Sequence, residues 1–208
     1  MDRRLPSESD LRFQMFASLT YGYTGIVYFT YDIAFERGLI EPTGTPTPAY
    51  HAAVKANREV LNVGTVMRSL TSTDVRYLAG RHEEQGVLQT HPLPRDTKAW
   101  QPGAGGDSSI LDVAVETTSE GCDGLLGYFR DDADQRYFML TNLWHNGGAS
   151  AADRTATFSV RFHPSIEQLV RVDRMTGARK TVRLDQGQVT IRLPGGTGDL
   201  FQYVVQSK

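Results

Sequence analysis

Three aromatic side chains and a carboxylate follow an apolar run in the segment GYTGIVYFTYDIAFERG, residues 22–38. Aromatic rings bind ligands by burying apolar area. A carboxylate can accept hydrogen bonds or act as a general acid or base. Because they stand where a strand ends, these side chains are predicted to lie at the rim of a parallel α/β sheet. They are Tyr28, Phe29, Tyr31 and Asp32.

The same residues also have an ordinary structural interpretation. Successive side chains of a strand point to opposite faces, so we expect at most two of the three aromatic rings to face a ligand. Aspartate is common in caps and turns, which is the more frequent role for a residue such as Asp32. Glu36 and Glu41 follow in the next loop, where a solvated charge is the simpler interpretation.

Two helices are predicted to flank this segment. The first covers residues 7–21, with Ser7 as N-cap, Asp10 three residues later and apolar residues at helical spacing. The second begins after Thr47, with a proline at its first position, and extends to about residue 70. Between the helices, residues 26–31 are predicted to form a buried strand of the parallel type.

The sequence changes character after residue 72. Short runs of alternating apolar and polar residues follow one another, which is typical of antiparallel sheets with one solvated face. We therefore predict an α+β protein in which residues 1–72 form a short α/β segment and residues 73–208 form an antiparallel β-sandwich. The predicted strands are 75–79, 87–90, 110–116, 125–130, 136–144, 155–162, 168–172, 181–184, 188–193 and 200–205.

Composition narrows the function classes. The formal net charge of −2 argues against nucleic acid as a partner, because nucleic-acid binding needs a basic surface. The sequence has no apolar run long enough to span a membrane. Cys122 is the only cysteine, which excludes an internal disulfide and a cysteine zinc cluster. The histidines show no metal-ligand spacing, so neither a metal nor another cofactor is predicted.

The first seventy residues resemble the end of the barrel in clan A (β/α)₈ glycoside hydrolases of the β-galactosidase-like type. The resemblance is carried by LPSESDLRFQMFASLTYGYTGIVYFTYD and GLIEPTGTPTPAYHAAVKANREVLNVGTVMRSLTSTDV. In that family the last helix, strand and helix follow the pattern R-Q-x-x-x-S-L-x-Y-G-x-x-G-I-x-Y-F-T-Y, and G-x-P-T-x-x-Y then starts the final helix. A β-sandwich follows the barrel. Many relatives carry an aromatic residue where this chain has Asp32.

The resemblance implies a carbohydrate ligand. The strand at residues 26–31 would be the eighth of the barrel, and its carboxyl end would face the substrate cleft. The substrate-binding residues it implies are Tyr28, Phe29, Tyr31 and Asp32, with rings that pack against sugar faces.

The resemblance also implies that the chain is inactive alone. Retaining glycosidases use two carboxylates about 5 Å apart, and in this clan they end the fourth and seventh strands, before the matched segment. The chain would then be a C-terminal part that either self-associates or contacts the missing barrel portion. The alternative is a non-catalytic β-sandwich module that binds carbohydrate or serves a structural role.

Overall fold

The computed structural model describes residues 5–28, 31, 38–103 and 107–206. Within these ranges the protein has an α+β fold with mostly antiparallel sheets. The helices are α1 (Glu8–Thr20) and α2 (Pro48–Met67). The strands are β1 (Thr71–Leu78), β2 (Arg81–Glu84), β3 (Val87–Thr90), β4 (Ile110–Val115), β5 (Gly124–Arg130), β6 (Arg136–Asn142), β7 (Ala156–Phe162), β8 (Ile166–Val172), β9 (Arg179–Arg183), β10 (Gln188–Leu193) and β11 (Gly198–Val205).

Helix α1 begins with the predicted capping box. The Ser7 side chain accepts a hydrogen bond from the backbone N–H of Asp10 at 3.2 Å, and the Asp10 carboxylate accepts one from the N–H of Ser7 at 2.8 Å. These reciprocal bonds satisfy amides that have no partner inside the helix. The helix ends at Thr20, and Gly22 follows with a φ of 91°, a conformation that favours glycine.

Helix α2 also begins as predicted. The Thr47 hydroxyl accepts from the backbone N–H of Tyr50 at 3.3 Å, and Pro48 occupies the first helical position, where its missing N–H costs nothing. The helix ends at Met67, three residues before the predicted end. Neither helix in the described ranges is long and apolar enough to cross a membrane.

The strands of the described chain form three sheets. The largest has the order β1-β5-β6-β11-β8-β9, a second has the order β10-β7-β4, and β2 pairs with β3. All of these strand pairs are antiparallel. The last strand along the sequence, β11, therefore lies inside the largest sheet, between β6 and β8.

The two larger sheets share one buried apolar core. Strand β7 buries every second side chain between Ala156 and Phe162, which confirms the alternation predicted for it. On the facing sheet, Phe138 is fully buried and its ring stacks on that of Phe201 with centroids 4.9 Å apart. Tyr203 and Leu126 complete the same cluster. Burial of these side chains from both sheets joins the sheets to each other.

The helices cover the opposite face of the largest sheet. Phe16 of α1 and Met67 of α2 are buried in one cluster with Phe129, Met139 and Leu200 of strands β5, β6 and β11. The largest sheet is thus covered by apolar contacts on both faces, with β7 and its neighbours on one side and the helices on the other. The predicted boundary near residue 72 lies at the second residue of β1, and the division into two domains stays a prediction.

A buried ion network fixes the helices on this sheet. The guanidinium of Arg12 on α1 donates two hydrogen bonds to the carboxylate of Glu59 on α2, each 2.7 Å long. Arg174, which follows β8, lies 3.1 Å from the same carboxylate and also pairs with Asp199 of β11. Because buried charges are tolerated only when they are paired, these contacts specify how the helices pack on the sheet.

The prediction of a buried strand at residues 26–31 is wrong for residues 26–28. Residues 23–28 belong to none of the sheets, and the side chain of Val27 is 94% exposed. Ile26 and Tyr28 instead pack against the helix cluster. The segment lies against α1 and α2, and helices offer side chains rather than the free backbone N–H and C=O groups that a strand needs.

The predicted antiparallel strands are confirmed, and the structure adds one more. Each of the ten predicted runs coincides with a strand, whereas β2 was not predicted because its sequence, RHEE, contains no apolar residue. Strand β2 forms a hairpin with β3 through Gln85 and Gly86, which have φ values of 52° and 77°. Two successive residues with positive φ are typical of the tight turns that join such strands.

Candidate functional site

Tyr28 is half-buried against the two helices. Its hydroxyl donates to Oδ1 of Asn57 on α2 at 2.7 Å and lies 3.9 Å from the sulfur of Met15 on α1. Burial raises the pKa of this hydroxyl, so it is a neutral donor at physiological pH. These contacts fix the ring against the helices.

Tyr31 has a different environment. Its side chain is 61% exposed, and its backbone carbonyl accepts hydrogen bonds from the N–H groups of Leu39 at 3.0 Å and Ile40 at 3.1 Å. Phe29 and Asp32 lie outside the described residues. The structure therefore places two of the four predicted substrate-binding residues, Tyr28 packed on the helices and Tyr31 with its ring in solvent.

A small pocket lies beside Tyr28. Its volume is about 170 Å³, and Leu11, Met15, Ile26 and Leu39 contribute apolar walls. Sites that enclose a small organic ligand have volumes of roughly 300–1,000 Å³. This pocket therefore suits an apolar side chain or part of a ligand rather than a whole substrate.

The buried carboxylates near the helices support the fold. Asp10 caps α1 and its Oδ1 lies 2.6 Å from Nδ1 of His145, while Glu59 is held by two arginines. Burial raises the pKa of the Cys122 thiol to about 12, so it is not a nucleophile at neutral pH. Among the residues that the structure describes, no group of three or more His, Cys, Asp and Glu could hold a metal ion.

A larger cleft of about 480 Å³ opens where the edges of the two main sheets face each other. One wall is β4, the edge strand of the smaller sheet. The opposite wall is the segment 98–102, which covers the free edge of β1. Tyr77 donates its backbone N–H to the carbonyl of Lys98, and Trp100 donates its N–H to the carbonyl of Tyr77, both at 2.8 Å.

Trp100 forms a fixed part of this cleft. The ring is half-buried against the core, and its Nε1–H donates to the hydroxyl of Tyr128 at 3.1 Å. Burial raises the pKa of the Tyr128 hydroxyl, which keeps it protonated and neutral. The indole is therefore held in one orientation, with its remaining surface lining the cleft.

A polar cluster supports Tyr77, which also lines the cleft. The carboxylate of Asp123 accepts hydrogen bonds from the Tyr77 hydroxyl at 3.2 Å and from the backbone N–H of Gly80 at 2.6 Å. Nδ1 of His91 lies 3.3 Å from the same carboxylate. Burial, followed by the charge of Asp123, raises the pKa of Tyr77, so its hydroxyl remains a donor.

This cleft is not predicted from the sequence. Trp100 has a recognisable signal, because an indole in a segment rich in proline and glycine is free of any regular core pattern. Arg81, Thr90 and Asp112 give no such signal, since they lie on three different strands that come together only in the folded sheets. No family model, no curated protein and no solved structure matches this chain.

Proposed function

We propose that this chain is the C-terminal part of a clan A-like glycoside hydrolase of the β-galactosidase-like type, and that it does not itself carry the catalytic carboxylate pair. In this proposal α1, the predicted strand at residues 26–31 and α2 form the last helix, strand and helix of a (β/α)₈ barrel. The strands β1 to β11 form an accessory β-sandwich. The whole protein cleaves glycosidic bonds, and this part contributes the rim of the substrate cleft.

The observation that carries the proposal is that residues 23–28 have no strand partner in the described chain. This run of β-branched and aromatic residues has the composition of a strand, yet it lies against both helices without a strand partner in the described chain, and Val27 is 94% exposed. An exposed, unpaired segment of this kind is a template for pairing with another strand. The missing barrel strands, or a second copy of the chain, would supply that partner.

The packing of the two main sheets supports the sandwich assignment. Their side chains meet in one core. Along β7 and β10, successive side chains point alternately into the core and out to solvent, as in the strands of a sandwich. Tyr31, whose side chain is 61% exposed, is available to pack against a sugar ring, whereas Tyr28 is held by Asn57. We assign the sugar-facing role to Tyr31 first.

A second candidate function is a non-catalytic carbohydrate-binding module. The observation that favours it is the cleft between β4 and the segment 98–102, which has the volume of a small-ligand site.

The first test uses the coding DNA upstream of Met1. We expect an open reading frame that encodes the preceding strand–helix repeats, with glutamates at the ends of the fourth and seventh strands. The extended protein should hydrolyse aryl-glycosides, and the present chain alone should not. Steady turnover by the present chain, or an in-frame stop codon directly before Met1, would overturn the proposal.

The second test compares two exposed tyrosines in the extended protein. Tyr31→Ala should raise KM for the aryl-glycoside because a ring is lost at the cleft rim. Tyr23→Ala is the matched control, since its side chain is 66% exposed but precedes the rim. Equal KM values for the two variants would show that Tyr31 does not contact the substrate.

A further inference from the structure

We propose that Asn146 is a site of spontaneous covalent modification, at which the asparagine loses ammonia and becomes aspartate or isoaspartate. The residue lies in the loop after β6 and is followed by Gly147. The modification needs no other protein, and it is independent of the roles proposed for the helices and for the cleft.

The reaction uses the asparagine, the next backbone amide and water. The backbone nitrogen of Gly147, after it has lost its proton to hydroxide, attacks Cγ of Asn146. A C–N bond forms, and the side-chain nitrogen takes a proton from water and leaves as ammonia. Water then opens the resulting succinimide ring at one of its two carbonyl carbons, which gives aspartate or isoaspartate. Because glycine has no Cβ, no side chain hinders the attacking nitrogen.

Both reacting groups are free within the part of the chain that the structure describes. The side chain of Asn146 is exposed, and the hydrogen bonds of this residue are all made by its backbone. The N–H of Gly147 donates to no other described residue. Solvent base therefore reaches the attacking nitrogen, and the side-chain amide is free to rotate toward it.

The backbone at this point forms a turn that contains two glycines. Ala149 donates its N–H to the carbonyl of Asn146 at 3.2 Å, and Gly148 has a φ of 76°. Glycine has access to more backbone conformations than any other residue. The turn is therefore able to adopt the rotation that brings the nitrogen of Gly147 onto Cγ of Asn146.

The other three asparagines lack this combination. Asn57 and Asn62 lie within α2, where their side chains form hydrogen bonds of 2.7 Å and 2.9 Å. Asn142 is fully buried, and its side-chain nitrogen donates to three backbone carbonyls. Asn146 is also the only asparagine in the sequence that is followed by glycine. Sequence and environment thus select the same residue.

Asp123 and Gly124 form the corresponding aspartate–glycine pair, which reaches the same kind of ring with loss of water. This pair is protected by the fold. Oδ1 of Asp123 accepts a hydrogen bond from the backbone N–H of Gly80 at 2.6 Å, and Gly124 lies opposite Asn142 in the ladder of β5 and β6. A fixed carboxylate and a paired backbone prevent the rotation that ring closure needs.

Isoaspartate at position 146 alters the contact between this loop and the start of α1. The Asn146 carbonyl accepts hydrogen bonds from the hydroxyls of Ser7 at 2.7 Å and Ser9 at 3.2 Å, and its N–H donates to Ser9 Oγ at 3.2 Å. In isoaspartate the main chain runs through Cγ and gains one methylene. The carbonyl that held the two serines becomes a free carboxylate, so the loop no longer fits the first turn of α1.

Incubation of the purified chain at mildly alkaline pH, followed by tryptic mapping, tests the site. The peptide from Tyr137 to Arg154 should gain about one dalton. Fragment ions should place the change at Asn146, since Asn142 lies in the same peptide. An isoaspartyl methyltransferase with labelled S-adenosylmethionine should label part of the product. The rate should rise with pH because the attacking nitrogen must lose its proton, and peptides with Asn57 and Asn62 should stay unmodified.

Two variants separate the parts of the reaction. Gly147→Ala adds a side chain beside the attacking nitrogen and should slow the modification by about tenfold or more. Among the glycines that the structure describes, Gly148 has a positive φ and Gly147 does not, so the alanine introduces no backbone strain. Asn146→Asp adds the charge without the extra methylene. The incubated parent protein should therefore unfold at a lower temperature than freshly prepared Asn146→Asp.

An unmodified Asn146 in the folded chain would overturn the inference. A sample unfolded in guanidinium that reacts under the same conditions would then show that the fold protects the site. Equal rates in the parent and in Gly147→Ala, or equal rates at all four asparagines, would also reject it. If the incubated protein and Asn146→Asp unfold at the same temperature, the proposed effect on α1 is wrong.

Discussion

The guanidinium of Arg12 and the carboxylate of Glu59 form a two-pronged ion pair, with both N–O distances at 2.7 Å and both side chains buried. The pair joins α1 to α2 across 47 residues of sequence. Desolvation on burial lowers the pKa of Arg12, but the hydrogen bonds and charges of Glu59 and Glu8 together more than offset it, so the net pKa is raised. The guanidinium therefore stays charged.

Loss of Arg12 should strongly destabilise the protein. Arg12→Leu leaves the buried Glu59 with Arg174 as its charged partner, and breaking a buried pair costs about 3–5 kcal/mol. We expect about 3 kcal/mol in the free energy of unfolding from urea denaturation. Arg58→Ala, at the exposed neighbour of Glu59 on the same helix, is the control and should change stability by less than about 0.5 kcal/mol. An unchanged midpoint for Arg12→Leu would show that the pair contributes nothing.

Packing of the helices on the sheet can be tested with one buried and one exposed side chain. Phe16 is fully buried on α1, whereas Leu61 on α2 is 71% exposed. Phe16→Ala should cost about 3–5 kcal/mol because it leaves a cavity against β5 and β6. Leu61→Ala should stay within about 0.5 kcal/mol of the parent protein. Similar losses in the two variants would mean that the helices do not pack on the sheet in this orientation.

Two glycines should respond to alanine with opposite signs. A Cβ at Gly127 of β5 would lie 2.4 Å from the carbonyl oxygen of Thr20, so Gly127→Ala forces the end of α1 away from the sheet. We expect a loss of about 1–3 kcal/mol. A Cβ at Gly64 of α2 meets no atom within 4 Å, and Gly64→Ala should stabilise the helix by about 0.5–1 kcal/mol. Thermal unfolding of both variants measures whether each substitution lowers or raises stability. A Gly127→Ala variant more stable than the parent would contradict the close contact between α1 and the sheet.

Acid stability should depend on Asp173. A hydrogen bond from Lys180 lowers its pKa to about 2, below the ordinary 3.8. Because the folded-state pKa is the lower one, the stabilisation is fully present above about pH 4 and is lost as the pH falls toward 2. Asp173→Asn keeps the oxygen that accepts from Met175 and Thr176 but cannot titrate.

The measurement compares urea midpoints at pH 6 and pH 3. The parent protein should lose more stability over this interval than Asp173→Asn, while Asp132→Asn at an exposed turn position should behave like the parent. Parallel losses in the parent and in Asp173→Asn would assign the acid sensitivity to other carboxylates.

The antiparallel part of the fold follows from local sequence patterns. Alternation in β7 and the caps at Ser7 and Thr47 depend on neighbouring residues only, and the structure confirms each of them. The segment at 26–28 could not be predicted in the same way, because whether a β-branched run becomes a strand depends on a partner elsewhere. The cleft near Trp100 was missed for the related reason that its residues meet only after the sheets have formed.

The central position of β11 has a kinetic consequence. Its neighbours β6 and β8 cannot complete the largest sheet, and Leu200 cannot reach the helix cluster, before residues 198–205 have left the ribosome. Helices α1 and α2 are made first, but β11 begins about 180 residues after the end of α1 and about 130 residues after the end of α2. Contacts between residues so far apart in sequence slow folding. During that interval the apolar faces of the helices are exposed, and chaperone binding is the expected protection of the nascent chain.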